Sequence, residues 1–428
     1  MSLSKTRGST AIIITLLIPF VGLIYSLANW REKWAKNAFW IACIYLGAVL
    51  IYCPEGTILG MGGDGGRYVL RLMEMYSNPD FTLGSLFSLY QRDSSYLDLY
   101  QQLTTFFVSR FTDNGHVLFA IYAFVFGFFY SRNIWYILEK LPNKRLGWIV
   151  ILVTLYFLIC PITQINGVRM WTALHVYVYG MMPFLFERDK SKFGWVLITP
   201  LIHFSFLYVA ILGLLWFIVP IRTKTNNFTL YVALFIFIVS IFVNSINMNV
   251  VGGMVAEYAP ESYEERLEGY LSEDYISARA DAASLNNWYV GLSGTIISWS
   301  YNILLILLLP CIKRNVYNQY NLKHLYVFTL FLGAFANLMS LLPSGGRFQL
   351  LSQMFKVPLI LIMALSVPPN EGFRKAVNYS LIFLLLPFVF EIRKLFDYFS
   401  ITAIAGNFFT ALVWENNIPL IDFIKRFV

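Results

Sequence analysis

The chain has 428 residues, of which 58% are hydrophobic and 18% aromatic, with a formal net charge of +8 at pH 7. Apolar runs of about 18 residues or more recur along it, the length a helix needs to cross a bilayer, and that excludes a soluble globular protein. The Lys and Arg fall mainly in short connections between these runs, where they report membrane topology and not nucleic-acid binding.

The first apolar run covers 11–29. It contains Pro19 and no small-residue cleavage site follows it, so it reads as a helix and not as a signal peptide. A basic connection, Arg31-Glu32-Lys33-Trp34-Ala35-Lys36, leads to a second helix ending near Cys53. A mostly polar stretch, 54–115, comes next. It opens Gly60-Met61-Gly62-Gly63-Asp64-Gly65-Gly66-Arg67-Tyr68. Glycines around one Asp make either a flexible turn or a backbone that a ligand can approach closely. No Gly-Lys-Ser/Thr closes the stretch, so it is not a P-loop. A second polar knot, Gln91-Arg92-Asp93-Ser94-Ser95-Tyr96, precedes a helical pattern from Leu97 to Phe111, read as an interfacial helix. Further helices are expected at 116–138, 147–162, 168–186, 193–219, 228–249, 289–312, 324–342, 355–368, 378–396 and 399–414. The end, 418–428, reads as a short interfacial helix carrying Lys425 and Arg426. The fold class is thus an all-α polytopic membrane protein with roughly 11–13 transmembrane helices. It forms one integral membrane domain over 1–428.

Orientation follows from charge. Lys140, Lys144 and Arg145 mark one connection as cytoplasmic, as do Arg188, Lys190 and Lys192; Arg222 and Lys224; Lys313, Arg314 and Lys323; and Arg374 and Lys375. The loops 54–115, 163–168, 250–288 and 343–354 then lie outside. One conflict arises, because 188–192 and 222–224 both read as cytoplasmic although a single apolar run separates them. That run contains Pro200 with His203 near its middle. A broken helix that dips in and returns resolves the conflict, and such backbone is tolerated at membrane depth only beside a cavity. The N-terminus poses the same question, since Lys5, Arg7 and the 31–36 connection all read as cytoplasmic. The loop 250–288 is acidic, and Tyr263, Leu267, Tyr270 and Leu271 fall in it at helical spacing. It is read as an amphipathic helix on the outer surface, a candidate lid. Cys43, Cys53, Cys160 and Cys311 include no CxxC pair, so neither a zinc site nor a disulfide framework is expected.

Ionisable groups inside apolar sequence are costly and usually face a cavity. The stretch from Gln164 to Phe206 holds two. Arg169 starts an apolar helix after an outer loop, and it either snorkels to headgroups or clamps an anion with its planar fork. His203 sits at the break after Pro200, next to Ser205, and is either a satisfied polar contact or a base for an attacking hydroxyl. His175 lies two turns along from Arg169 and is a candidate for the same cavity. A later outer loop, Pro343-Ser344-Gly345-Gly346-Arg347-Phe348, again places glycines beside an arginine. Arg169 and Arg347 together are suited to bracketing one phosphate or pyrophosphate.

Four patterns line up in order: Asp64 followed by Tyr68; Asn166-Gly167-Val168-Arg169 opening a helix; Ile202-His203-Phe204-Ser205 in a later helix; and Gly346-Arg347-Phe348 near the end. Over roughly 50–365 this arrangement resembles the EpsG-like branch of bacterial polysaccharide polymerases, related in role to the Wzy O-antigen and capsule polymerases. The resemblance implies a GT-C-like, polytopic glycosyltransferase of the bacterial inner membrane. Such an enzyme joins undecaprenyl-pyrophosphate-linked oligosaccharide repeat units on the outer face. It implies no metal and no cofactor, with arginines stabilising the departing pyrophosphate. The partners implied are the lipid-linked oligosaccharides, membrane lipids and a polysaccharide chain-length regulator, and no nucleic acid. Under this reading Arg169 and Arg347 hold the pyrophosphate. His203 is the candidate base, with Asp64 as the competing base or a sugar-hydroxyl ligand. Arg67 and Tyr68, with Asn166 and His175, contact the glycan.

Four rivals are weighed against it, among them a membrane acyltransferase, in which a buried His works on a cytoplasmic acyl donor, and a structural subunit, which tolerates alanine at every residue named. A lipid-linked oligosaccharide flippase predicts charges along a path and repeated halves, and no repeat is visible. A GT-C enzyme using a polyprenyl-phosphate sugar predicts an acidic pair in the first outer loop, and Asp64 has no adjacent carboxylate.

Overall fold

The computed structural model describes residues 2–50, 64–92, 98–142, 146–243, 287–313, 321–342, 344–366, 370–413 and 418–427. Among these residues the chain is helical, apart from one isolated antiparallel bridge between Ser400 and Pro419. In chain order the helices are α1 (Ser2–Leu17), α2 (Pro19–Ala28), α3 (Ala35–Val49), α4 (Asp64–Ser77), α5 (Leu83–Arg92), α6 (Leu99–Ser109), α7 (Gly115–Leu138), α8 (Val150–Phe157), α9 (Val168–Glu187), α10 (Gly194–Ile202), α11 (Phe206–Ile218), α12 (Ile221–Lys224) and α13 (Asn227–Phe242). They continue as α14 (Trp288–Leu307), α15 (Leu309–Lys313), α16 (Leu322–Met339), α17 (Arg347–Ala364), α18 (Glu371–Tyr398), α19 (Ile401–Ala405), α20 (Phe408–Val413) and α21 (Leu420–Lys425). Among the described residues, six helical stretches are long and apolar enough to cross a membrane: Gly115–Leu138, Gly147–Glu187, Trp288–Ile312, Leu322–Met339, Arg347–Ala364 and Glu371–Tyr398. Shorter apolar helices accompany them: Arg7–Leu17, Pro19–Ala28, Ala35–Val49, Phe206–Ile218 and Asn227–Phe242. The protein is an all-α polytopic membrane protein.

Two apolar runs fold back on themselves: 193–219, expected as a broken helix that dips in and returns, and 11–29, expected as a single helix. The run 193–219 splits into α10 and α11 at His203-Phe204-Ser205. Phe193 before α10 stacks on Phe217 near the end of α11, with ring centroids 4.2 Å apart. A Cβ added to Gly213 would lie 3.1 Å from both Val196 Cγ1 and the Tyr177 hydroxyl. Residues this far apart in sequence touch only if the arms lie side by side. Both arms are also shorter than the roughly 20 residues a crossing needs. The run 11–29 behaves the same way, and a single helix there is replaced by α1 and α2. Proline at the first position of α2 cannot continue α1. Thr15 and Gly22 face each other so closely that a Cβ on Gly22 would sit 2.5 Å from the Thr15 Cα. Gly8 and Tyr25 both pack on the Trp34 indole, Tyr25 by stacking at 5.3 Å. The chain therefore leaves and re-enters at one end, and that accounts for basic residues on both sides of the run.

The 41-residue stretch Gly147–Glu187 also turns back on itself, because His175 Nε2 donates to the Cys160 carbonyl at 2.9 Å. The expected helix over 399–414 is instead α19 and α20, broken at Gly406, whose backbone lies against Tyr45 and Thr402.

The bundle has two chemically distinct ends. At one, Lys36 pairs with Glu139 at 3.1 Å, Lys140 pairs with Glu187, the Asn321 N–H donates to the Phe186 carbonyl at 2.9 Å, and Lys323 donates to Asn227 at 3.1 Å. These are the connections the sequence marks as basic. At the other end stand the starts of α4, α6, α9 and α17 and the tip of the α10–α11 hairpin. The glycine-rich residues 60–63, residues 93–96 of the polar knot, and the acidic loop with its candidate lid up to 286 lie outside the described residues.

Candidate active site

Arg169 occupies the first turn of α9 and Asp98 immediately precedes α6. An Asp at that position ordinarily caps its own helix. Asp98 makes no cap bond. Its carboxylate is wholly buried and is used in tertiary contacts instead. Oδ2 accepts from Arg169 Nη1 at 2.9 Å, and Oδ1 accepts from the Phe204 backbone N–H at 2.8 Å. One buried carboxylate thus ties α9 to the hairpin tip. A cation in the first turn of a helix opposes the helix dipole, so Arg169 is held there by Asp98 against an unfavourable local field.

Arg169 has two further neighbours. Its Nε donates to the Tyr68 hydroxyl at 3.0 Å, and its Nη2 is 3.9 Å from Asp64 Oδ1. The second distance is too long for a hydrogen bond, so that contact is electrostatic. Asp64 opens α4, where a carboxylate complements the helix dipole, and its Oδ1 also accepts from Arg67 one turn on. Among the described residues Asp64 Oδ2 receives no hydrogen bond. The Tyr68 ring packs edge-on against Tyr122 at 6.1 Å, and the Tyr122 hydroxyl lies 2.8 Å from Thr105 Oγ1. Burial pushes the Tyr68 phenol up to about 12, overcoming the opposing pull of Arg169, so it stays a neutral hydroxyl. The Arg169 side chain keeps 17% of its surface open and Asp64 25%, whereas Asp98 keeps none. Arg169 and Asp64 are thus the partly exposed members of the group, and Asp98 is its buried one.

His203 forms the hairpin tip. The Ser205 N–H donates to His203 Nδ1 at 3.2 Å, and Ser205 Oγ is 3.1 Å from the same nitrogen. Nδ1 is therefore an acceptor, and in the neutral ring the proton sits on Nε2. Asp98 Oδ1 is 4.0 Å from Nδ1, beyond hydrogen-bond reach.

Arg347 starts α17 after a tight turn. Gly345 in that turn lies so close to Met339 that a Cβ would fall 1.7 Å from its carbonyl oxygen, so only glycine fits. No carboxylate lies within ion-pair distance of Arg347 among the described residues. Its neighbour Phe348 meets Phe206, at the start of α11, with centroids 6.0 Å apart. That contact sets the start of α17 beside the hairpin tip.

The structure thus brings together Asp64, Arg67, Tyr68, Arg169 and His203 around Asp98, with Arg347 on the adjoining helix start. Asn166 lies just before α9 in a 3-10 turn, Ile162–Gly167. His175 stands apart. It is fully buried, with Nε2 bonded to Cys160, Nδ1 3.4 Å from Asn133 Nδ2, and its ring edge-on to Phe126 at 4.8 Å. At about 100° per residue, six positions carry it roughly 120° round α9 from Arg169. Asp98 went unread in the sequence although it follows the polar knot at 91–96 by two residues. The available signal was a carboxylate at the mouth of an apolar helix, which reads first as a helix cap.

A family model of the EpsG family matches residues 57–402, most of the chain. The chain belongs to the EpsG family. The match covers every residue of the cluster, from Asp64 to Arg347. No curated protein matches the chain, and no solved structure does. EpsG membership and the several membrane-spanning helices support a multi-pass membrane protein of polysaccharide biosynthesis with a glycosyltransferase-like, polymerase type of role.

Proposed function

We propose that this EpsG-family chain joins undecaprenyl-pyrophosphate-linked oligosaccharide repeat units at the end of the bundle opposite its basic connections. The observation that carries this reading is Arg169, a guanidinium at a helix N-terminus, held by a buried carboxylate and still open on one side. A helix N-terminus and an oriented guanidinium both favour a phosphate oxygen. Arg347, with no carboxylate within ion-pair distance among the described residues, supplies a second positive charge from the adjoining helix start. The positive-inside rule supports a basic end in the cytoplasm and a cluster on the periplasmic face of the inner membrane. Repeat units are displayed on that face.

In the proposed reaction an acceptor sugar hydroxyl attacks the anomeric carbon of the lipid-linked donor. The new glycosidic C–O bond forms as the C–O bond to the pyrophosphate breaks. Undecaprenyl pyrophosphate leaves with the electron pair, and Arg169 and Arg347 offset its developing charge. The hydroxyl proton goes to Asp64, whose Oδ2 accepts no hydrogen bond among the described residues, and not to Asp98, whose two oxygens are both engaged. The tautomer at His203 makes its Nε2 a donor, suited to a sugar or phosphate oxygen. Arg67 and Tyr68 orient the glycan and the arginine. The test is Arg169→Ala and Arg347→Ala in a strain lacking the native copy, scored for surface polymer length with protein level confirmed. Single repeats in place of a ladder are expected. Wild-type ladders in both variants would sink the assignment.

A further inference from the structure

At the basic end, a cavity of about 130 Å³ opens between α3, α7, α9 and the connection before α10. Lys36, Arg132, Tyr136, Glu139, Tyr179 and Lys192 are among the residues lining it. Lys36 and Glu139 neutralise each other at 3.1 Å. Among the described residues no carboxylate lies within ion-pair distance of Arg132 or Lys192, and Asp189 acts on Lys192 only from farther off. Arg132 sits six residues before the end of α7, about 9 Å inside the bundle measured along the helix. Its guanidinium donates to Ser131 Oγ at 2.8 Å and Asn37 Oδ1 at 2.7 Å, and lies over the Trp40 and Phe128 rings at 4.8 and 4.4 Å. The Lys192 ammonium lies over the Tyr179 ring at 4.3 Å. Neutral acceptors and π-faces orient these two cations without neutralising them. An uncompensated arginine at membrane depth is costly unless an anion joins it.

The wall beside the cavity is apolar and faces outward. Trp40 packs on Phe124 at 4.9 Å, Phe129 packs on Trp195 at 5.1 Å, and Phe124 and Trp195 are exposed. We propose that the cavity binds the phosphate of an anionic lipid headgroup, with the acyl chains lying along this aromatic wall. Basic pockets between membrane helices recognise such headgroups by charge. The site is at the opposite end from the Arg169 cluster and does not depend on the reaction proposed there.

The test uses the purified full-length protein in phosphatidylcholine nanodiscs doped with phosphatidylglycerol, with bound lipid counted by native mass spectrometry. The wild type is expected to retain phosphatidylglycerol in preference to phosphatidylcholine. Arg132→Gln and Lys192→Gln should each lower that preference roughly fivefold, and Arg132→Lys should largely keep it. Lys192→Gln, in a connection and not a helix, keeps the test alive if Arg132→Gln does not fold. Equal retention of the two lipids by the wild type, or an unchanged preference in both glutamine variants, would overturn the proposal. A parallel arm adds millimolar inorganic phosphate. If it displaces phosphatidylglycerol and raises the unfolding temperature as much, the ligand is free phosphate and the lipid assignment fails.

Discussion

Replacing Asp98 by Asn keeps the side chain's shape and removes its charge, which isolates what the buried carboxylate does. Asn Oδ1 can still accept from the Phe204 N–H now at 2.8 Å, but an amide facing Arg169 Nη1 can no longer neutralise it. The remaining carboxylate near the guanidinium, Asp64, is 3.9 Å away and already engaged by Arg67. Breaking a buried ion pair from one side costs about 3–5 kcal/mol, because the surviving charge stays buried. Arg169 is partly open and can relax outward, so the lower end, about 3 kcal/mol, applies. If that displaces the guanidinium by even ~1 Å, transfer should slow by about 100-fold. The assay is surface polymer length in a strain carrying only Asp98→Asn, with membrane protein level measured alongside. Short chains or single repeats at normal protein level are expected, and Asp98→Ala should be more severe because the Phe204 N–H also loses its partner. A full-length ladder from Asp98→Asn at normal level would refute the claim that Asp98 sets the position of Arg169.

Tyr68→Phe removes the acceptor of the Arg169 Nε bond and should lower activity about tenfold, as expected for one hydrogen bond to a charged group. Because burial raises the phenol to about 12, it is protonated across pH 6–9, so wild type and Tyr68→Phe should share one pH profile, and a limb lost only in the variant would contradict this. His203→Ala should shorten polymer at normal protein level, and Ser205→Ala should do so more mildly because the Ser205 N–H to His203 Nδ1 remains; an unchanged ladder in His203→Ala would reduce His203 to packing. Gly213→Leu should pry apart the hairpin arms and destabilise the protein by about 1–3 kcal/mol, read as a lower unfolding temperature in detergent; no change would mean the arms are not in contact.

The membrane class was legible because apolar runs and basic connections are local features of the chain. So was the α10–α11 hairpin, since two basic connections around one proline-containing run leave no other consistent topology. The α1–α2 hairpin carried the same signature in Lys5, Arg7, Pro19 and the 31–36 connection, but the run is short enough to pass for one helix. Within the cluster, Arg169, His203, Asp64 and Tyr68 announced themselves as polar groups beside glycine or at breaks in apolar sequence. Asp98 did not, because an Asp before a helix has a local explanation, and only the meeting of α6, α9 and the hairpin tip shows where its oxygens go. His175 carried the right chemistry on the wrong side of its helix, since its partners on α7 and at Cys160 are fixed by packing.

The measurement closest to the central claim is reconstitution. Purified protein in proteoliposomes would be given undecaprenyl-pyrophosphate-linked repeat units, with polymer and released undecaprenyl pyrophosphate followed together. The account predicts that the wild type forms polymer and releases one undecaprenyl pyrophosphate per new linkage, and that Arg169→Ala, folded to the same unfolding temperature, does neither. Polymer formed equally well by Arg169→Ala, or none formed by folded wild-type protein, would contradict it.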